Sequence, residues 1–87
     1  MKIKKNLVLR QVAGTWVVLP TDSNVLDFDG MLTLNETGVV LWKLLEQGST
    51  YEEMTSALLE EYDASREQLL ADVHEFVEML KSAGCLE

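Results

Sequence analysis

Met31-Leu32-Thr33-Leu34-Asn35-Glu36-Thr37-Gly38 is the stretch on which the fold turns. Up to Leu34 apolar residues sit one apart, the period of a strand. From Asn35 onward they recur at helical spacing. Asparagine suits that junction because its side-chain oxygen accepts a hydrogen bond from a free backbone N–H of the first helical turn. Residues 31–34 are therefore predicted as a strand and the following dozen as a helix, with Thr37, Leu41, Leu44 and Leu45 on one stripe and Gly48 as its stop.

Toward the N-terminus the runs stay short and β-rich. Asp29-Gly30 between Val25-Leu26-Asp27-Phe28 and Met31 has the composition of a type I′ turn. The segment before it reads either as a fourth strand or as an arm. Thr15-Trp16-Val17-Val18-Leu19 is apolar on both faces, as expected of a central or covered strand. Ala13-Gly14 joins it to Leu7–Val12 as a hairpin, and Pro20 ends it because proline cannot donate to a ladder.

Toward the C-terminus, Ser49 and Glu52 have capping-box spacing. Tyr51, Met54, Leu58 and Tyr62 then mark a second helix face. Ser65 and Gln68 have the same capping spacing ahead of the longest helix, about Ser65 to Ser82. Its arc comprises Leu69, Leu70, Val73, Phe76, Val77 and Leu80, with Met79 further out. Gly84 ends it and Leu86 is expected to fold back on the core. Helices joined by so few residues must lie against one another. The expectation is a single α+β domain over residues 1–87: a small antiparallel sheet of three strands, or four, followed by three α-helices.

The chain has 87 residues, 47% apolar and 25% charged, an ordinary globular mixture. One core of this size supplies only about 3–5 kcal/mol of net stability, which leaves little interior for a water-excluding active site. A single cysteine, Cys85, excludes an intrachain disulfide. The longest apolar runs are about four or five residues, against the ~20 of a membrane span, and the N-terminus lacks a leader pattern. A reducing, cytoplasmic location and no membrane partner follow as expectations. The net charge is −8; residues 1–20 carry Lys2, Lys4, Lys5 and Arg10 with no acid, so the remainder stands at −12. Such a surface repels phosphates, so no nucleic-acid partner is expected.

Side chains that carry chemistry are few. His74 is the only histidine, at the edge of the third helix's arc, and no ligand neighbours it at metal-binding spacing. Cys85 reads as a packing residue. Glu52-Glu53 and Glu60-Glu61 belong to a solvated face. Asp27, Asp29 and Gly30 lack the later ligands of a calcium loop. No catalytic residue, metal or cofactor is expected, and the protein is read as a non-enzyme. What remains is surface. A short sheet has an edge with unpaired N–H and C=O groups, to which an extended peptide can add a strand. The third helix's arc is wider than one neighbour requires.

Leu34-Asn35-Glu36-Thr37-Gly38, Leu41-Trp42-Lys43-Leu44-Leu45 and Gly48 together resemble the first-helix motif of the PqqD-like family. Asp72-Val73, Phe76-Val77, Leu80 and Gly84-Cys85-Leu86 resemble its closing helix. The likeness covers Leu32 to Glu87 and extends to the N-terminal ribbon only by pattern. It implies a winged helix-turn-helix-like fold that serves as a recognition element for ribosomally made, modified peptides, in pyrroloquinoline quinone biosynthesis or another such pathway. By that resemblance, a precursor's leader would lie along Met31, Leu32, Thr33 and Leu34 and against Leu69, Asp72, Val73 and Phe76 of the third helix. Asp72 would bond the peptide or cap local structure. The partners implied are the leader peptide and a modifying enzyme such as a radical S-adenosylmethionine protein. Two other readings stand beside it: a structural module that forms a homodimer through the same edge, and a DNA-binding winged helix, whose recognition helix should be basic.

Overall fold

The structure is a computed structural model that describes residues 1–21 and 32–87. Three antiparallel strands, β1 (Leu7–Val12), β2 (Thr15–Pro20) and β3 (Leu32–Leu34), lie in the order β1-β2-β3. Three helices follow: α1 (Glu36–Gln47), α2 (Tyr51–Glu61) and α3 (Arg66–Ser82). This is the expected α+β, winged helix-turn-helix-like arrangement. The turn signals around Val25–Phe28 and Asp29-Gly30, together with Met31, lie outside the described residues.

The β1–β2 hairpin is tight. Val12 pairs with Thr15, so Ala13 and Gly14 alone make the turn, at φ 51° and 81°. A type I′ turn needs positive φ at both positions, and Ala13 adopts it although it carries a Cβ. β2 is the central strand, and its neighbouring residues Val17 and Val18 are both buried, as its two apolar faces required.

Asn35 caps α1 as expected, its Oδ1 accepting from the Gly38 N–H at 2.8 Å. Ser65 likewise caps α3, accepting from the Gln68 N–H at 3.2 Å. Two expectations need correction. The capping box of α2 is formed by Thr50 and Glu53, one residue later than Ser49 and Glu52. Both pairs satisfy the same spacing rule; Ser49 is buried, with its backbone engaged elsewhere, which moves the cap on by one. The α1 face is also rotated. Gly38, Val39, Leu41, Trp42 and Leu45 are buried while Thr37 and Leu44 are only half-buried. Trp42, fully buried, is the largest side chain of the core, and burying an indole removes more apolar area from water than either residue it displaces.

α3 gives Leu69, Val73, Val77 and Leu80 to that core, where they meet Met54 and Leu58 of α2. The α2–α3 pair is also joined at the surface. The rings of Tyr51 and His74 stack at 4.0 Å, and Arg66 pairs with Glu52.

The chain's basic beginning is ordered. Ile3 is buried, and its N–H donates to the Leu45 carbonyl at 3.0 Å. Lys4 N–H donates to Cys85 C=O, Glu87 N–H to Lys2 C=O and Ser49 N–H to Met1 C=O, each at 2.9 Å. Ile3 and Leu86 form an antiparallel bridge, so Leu86 does fold back, onto this strap. Cys85 is fully buried beneath it. Burial pushes its thiol pKa above the ordinary 9.0, with Lys4 acting weakly in the opposite direction.

Candidate functional site

β3 pairs with β2 on one side and, among the described residues, with nothing on the other. Its register, Trp16 to Leu34, Val17 to Thr33 and Val18 to Leu32, leaves a short edge of backbone N–H and C=O groups open. Alternation sends Leu34 into the core and leaves Thr33 exposed.

Beside the end of this strand runs an open groove of about 520 Å³. One wall is the start of α1: Asn35, Thr37, Gly38 and Leu41. The other is a stripe of α3: Asp72, Glu75, Phe76 and Met79. Those four recur at i, i+3, i+4 and i+7, the spacing that shares a helix face. Phe76 is half-buried, and Met79 is 38% exposed, one of few large apolar side chains left in water. The floor is therefore apolar and one rim carries two carboxyl groups.

Gly38 fixes the groove's inner limit. A Cβ there would lie 3.2 Å from Phe76 Cε1 and 3.3 Å from both Leu34 Cβ and Asn35 Oδ1. The missing side chain lets α3, β3 and the cap of α1 meet at one point.

The residues expected from sequence separate into groups. Asp72 and Phe76 line the groove, and Leu32, Thr33 and Leu34 form the adjoining edge strand. Leu69 and Val73 are 5% and 0% exposed and point into the core, so they support α3 rather than offer surface. Met31 is not among the described residues. Sequence reasoning passed over Glu75, and it read Thr37 and Leu41 as part of the α1 stripe rather than as groove residues. The signal for Glu75 was present in the i+3 spacing from Asp72, but a search for apolar arcs skips charged members of a stripe.

A three-stranded antiparallel sheet whose β3 edge is unpaired among the described residues, backed by three helices and bordered by an open groove, defines a small α+β domain. The chain belongs to the PqqD family: residues 15–86 match the family described as coenzyme PQQ synthesis protein D. Among solved structures it is similar to TbiB1 in complex with the TbiA(beta) leader peptide, with 28% identity and a TM-score of 0.79, covering 100% of this chain and 95% of that one. A lasso peptide synthetase B1 complexed with the leader peptide has the same fold, with 21% identity and a TM-score of 0.75, covering 97% and 93%. No curated protein sequence matches the chain.

Proposed function

We propose that this protein is a non-catalytic adaptor that binds the leader of a ribosomally synthesised precursor peptide by strand addition to β3 and presents it to a modifying enzyme. The observation that carries this reading is the open β3 edge beside the groove between α1 and α3. Membership of the PqqD family and the leader peptide held by the similar TbiB1 structure support it. Leu32, Thr33 and Leu34 supply main-chain hydrogen bonds, and Phe76 with Met79 takes an apolar anchor. Asp72, on the groove's α3 wall, is a further contact for the peptide in this reading. A few hydrogen bonds and one or two anchors correspond to a micromolar or somewhat tighter Kd, about −8 kcal/mol. The enzyme served is of the radical S-adenosylmethionine type or another peptide-modifying class.

The charge of α3 disfavours the DNA-binding alternative. Arg66 is paired with Glu52 and Lys81 with Glu78, which leaves this helix no free cation for phosphate.

Successive N–H groups of a strand point to opposite sides, so one of Leu32 and Thr33 faces the open edge. Proline at that position removes a donor to the peptide without touching the β2 ladder. Leu32→Pro and Thr33→Pro are compared by amide NMR and by titration with leader peptides from precursors encoded beside the gene. The expected result is one variant that retains its fold and loses leader binding. Two folded variants with wild-type affinity would remove strand addition as the mode of binding. Self-association through the edge would instead appear as concentration-dependent mass in the free protein.

A further inference from the structure

The sheet has a second edge, on the side away from β3, and it is the longer of the two. Among the described residues β1 pairs only with β2, and it offers six residues where β3 offers three. The Thr21 N–H donates to the Asn6 C=O at 2.8 Å. In this register every second residue from Asn6, namely Val8, Arg10 and Val12, therefore turns its backbone groups toward β2. Leu9 and Gln11, lying between them, turn theirs outward. Leu9 packs on the core, whereas Arg10, Gln11 and Val12 are exposed, Val12 at 54%. Backbone donors, backbone acceptors and an apolar side chain thus stand open along one strand.

Charge decides what fits there. Residues 1–20 hold four basic residues and no acid. Lys2, Lys4 and Lys5 line a cleft of about 230 Å³ that reaches Leu7, the first residue of β1, with Glu46 as the acid on its wall. Arg10 lies midway along the strand. Among the described residues none of these four cations is in an ion pair; the two pairs formed are Arg66 with Glu52 and Lys81 with Glu78. A second copy of β1 would set cations against cations, and like charges across a strand pair destabilise it. A strand that carries carboxylates meets an open backbone and unpaired cations together. The −12 balance of the chain beyond residue 20 repels such a strand from the other surfaces and so steers it to this end.

We infer that β1 is a second strand-accepting edge and that its occupant is an acidic, extended segment of the modifying enzyme. This rests on the adaptor reading above and adds the place where the enzyme docks. β1 and β3 lie on opposite sides of β2, so leader and enzyme occupy the sheet at once without competing, as presentation of a substrate requires.

The protein is mixed with the purified peptide-modifying enzyme encoded beside its gene, and binding is read by biolayer interferometry at several salt concentrations. Two variants are compared with the wild type. Gln11→Pro removes one outward N–H and leaves the β2 ladder whole; Lys5→Glu/Arg10→Glu reverses two cations. Wild-type protein is expected to bind the enzyme, more weakly as salt rises. Each variant should bind it roughly tenfold more weakly, while its amide spectrum and its affinity for leader peptide stay those of the wild type. Enzyme binding that is absent in the wild type, or unchanged in the folded charge-reversal variant, would overturn the inference and leave leader recognition standing. Concentration-dependent mass that disappears in Gln11→Pro would assign the edge to a second copy of the chain and overturn it equally. A folded wild type that binds the enzyme but no leader would overturn the adaptor reading, and with it the role given to β1.

Discussion

The two ends of α1 are finished in opposite ways. At its C-terminal end an extended segment of the same chain is already in place: residues 1–4 bond to Leu45, Ser49, Cys85 and Glu87, and Ile3 fills the space beneath. At its N-terminal end β3 stops short, its outer edge is unpaired among the described residues, and a groove opens between Asn35 and Phe76. Charge follows the same division. Lys2, Lys4 and Lys5 gather near the helix's C-terminus, where the macrodipole favours cations and the last turn of α1 holds no basic residue. Asp72 and Glu75 stand at the other end. One physical device, an extended strand making main-chain hydrogen bonds beside helices, is completed internally at one end and left for a second molecule at the other. A tethered segment loses little entropy on docking, whereas a separate one must offset the loss of translational and rotational freedom. The closed end therefore serves stability and, under the proposed function, the open end serves recognition.

The largest effect separating the two ends should come from Ile3. Ile3→Ala leaves a cavity under the strap and is expected to cost about 2–5 kcal/mol, comparable with the entire net stability of so small a core. Urea denaturation reads the loss. Ile3→Val should cost only about 0.5–1.5 kcal/mol, and its folded molecules should bind leader like the wild type. A fall in affinity in that variant would mean that the two ends are coupled.

Gly38→Val tests the open end. Its Cβ alone would press on Phe76 and Leu34 at 3.2 and 3.3 Å, and overpacking costs typically about 1–3 kcal/mol. Here stability and leader affinity should fall together, the latter because Phe76 is displaced. A stable variant with unchanged affinity would show that the groove's inner limit lies elsewhere.

The smallest effect near neutral pH concerns Cys85. Its pKa is raised by folding, so the folded state holds the proton more firmly than the unfolded one. The associated stability is complete below the unfolded chain's pKa and is lost as pH rises through the folded value. Stability should decline above about pH 9, and Cys85→Ala should flatten that limb. The native thiol should react slowly with a disulfide reagent and quickly in denaturant. Fast reaction of native protein would mean that the strap opens readily.

The open end was more legible in the sequence than the closed one, for physical reasons. Asn35, the change of period after it and the Ala13-Gly14 turn are local signals, each satisfied within a few residues. Ile3 is a single apolar residue among lysines, and the bonds of the strap come from backbone groups that every sequence possesses. Periodicity placed Leu69 and Val73 on the right helix but did not say which part of a wide arc meets solvent; the position of α2 decides that. Ser49 and Thr50 both fit a cap, and only the strap's hold on the Ser49 backbone selects between them.

Gly38 has an evolutionary consequence as well. Because a Cβ at position 38 would lie only 3.2 Å from Phe76, positions 38 and 76 form a matched pair in which bulk on one side demands bulk removed from the other. Lineages drifting apart should exchange volume between these sites in compensated steps, and each exchange would recalibrate which anchor fits. A duplicated copy could thus acquire a separate clientele through two substitutions, with the rest of the scaffold unchanged.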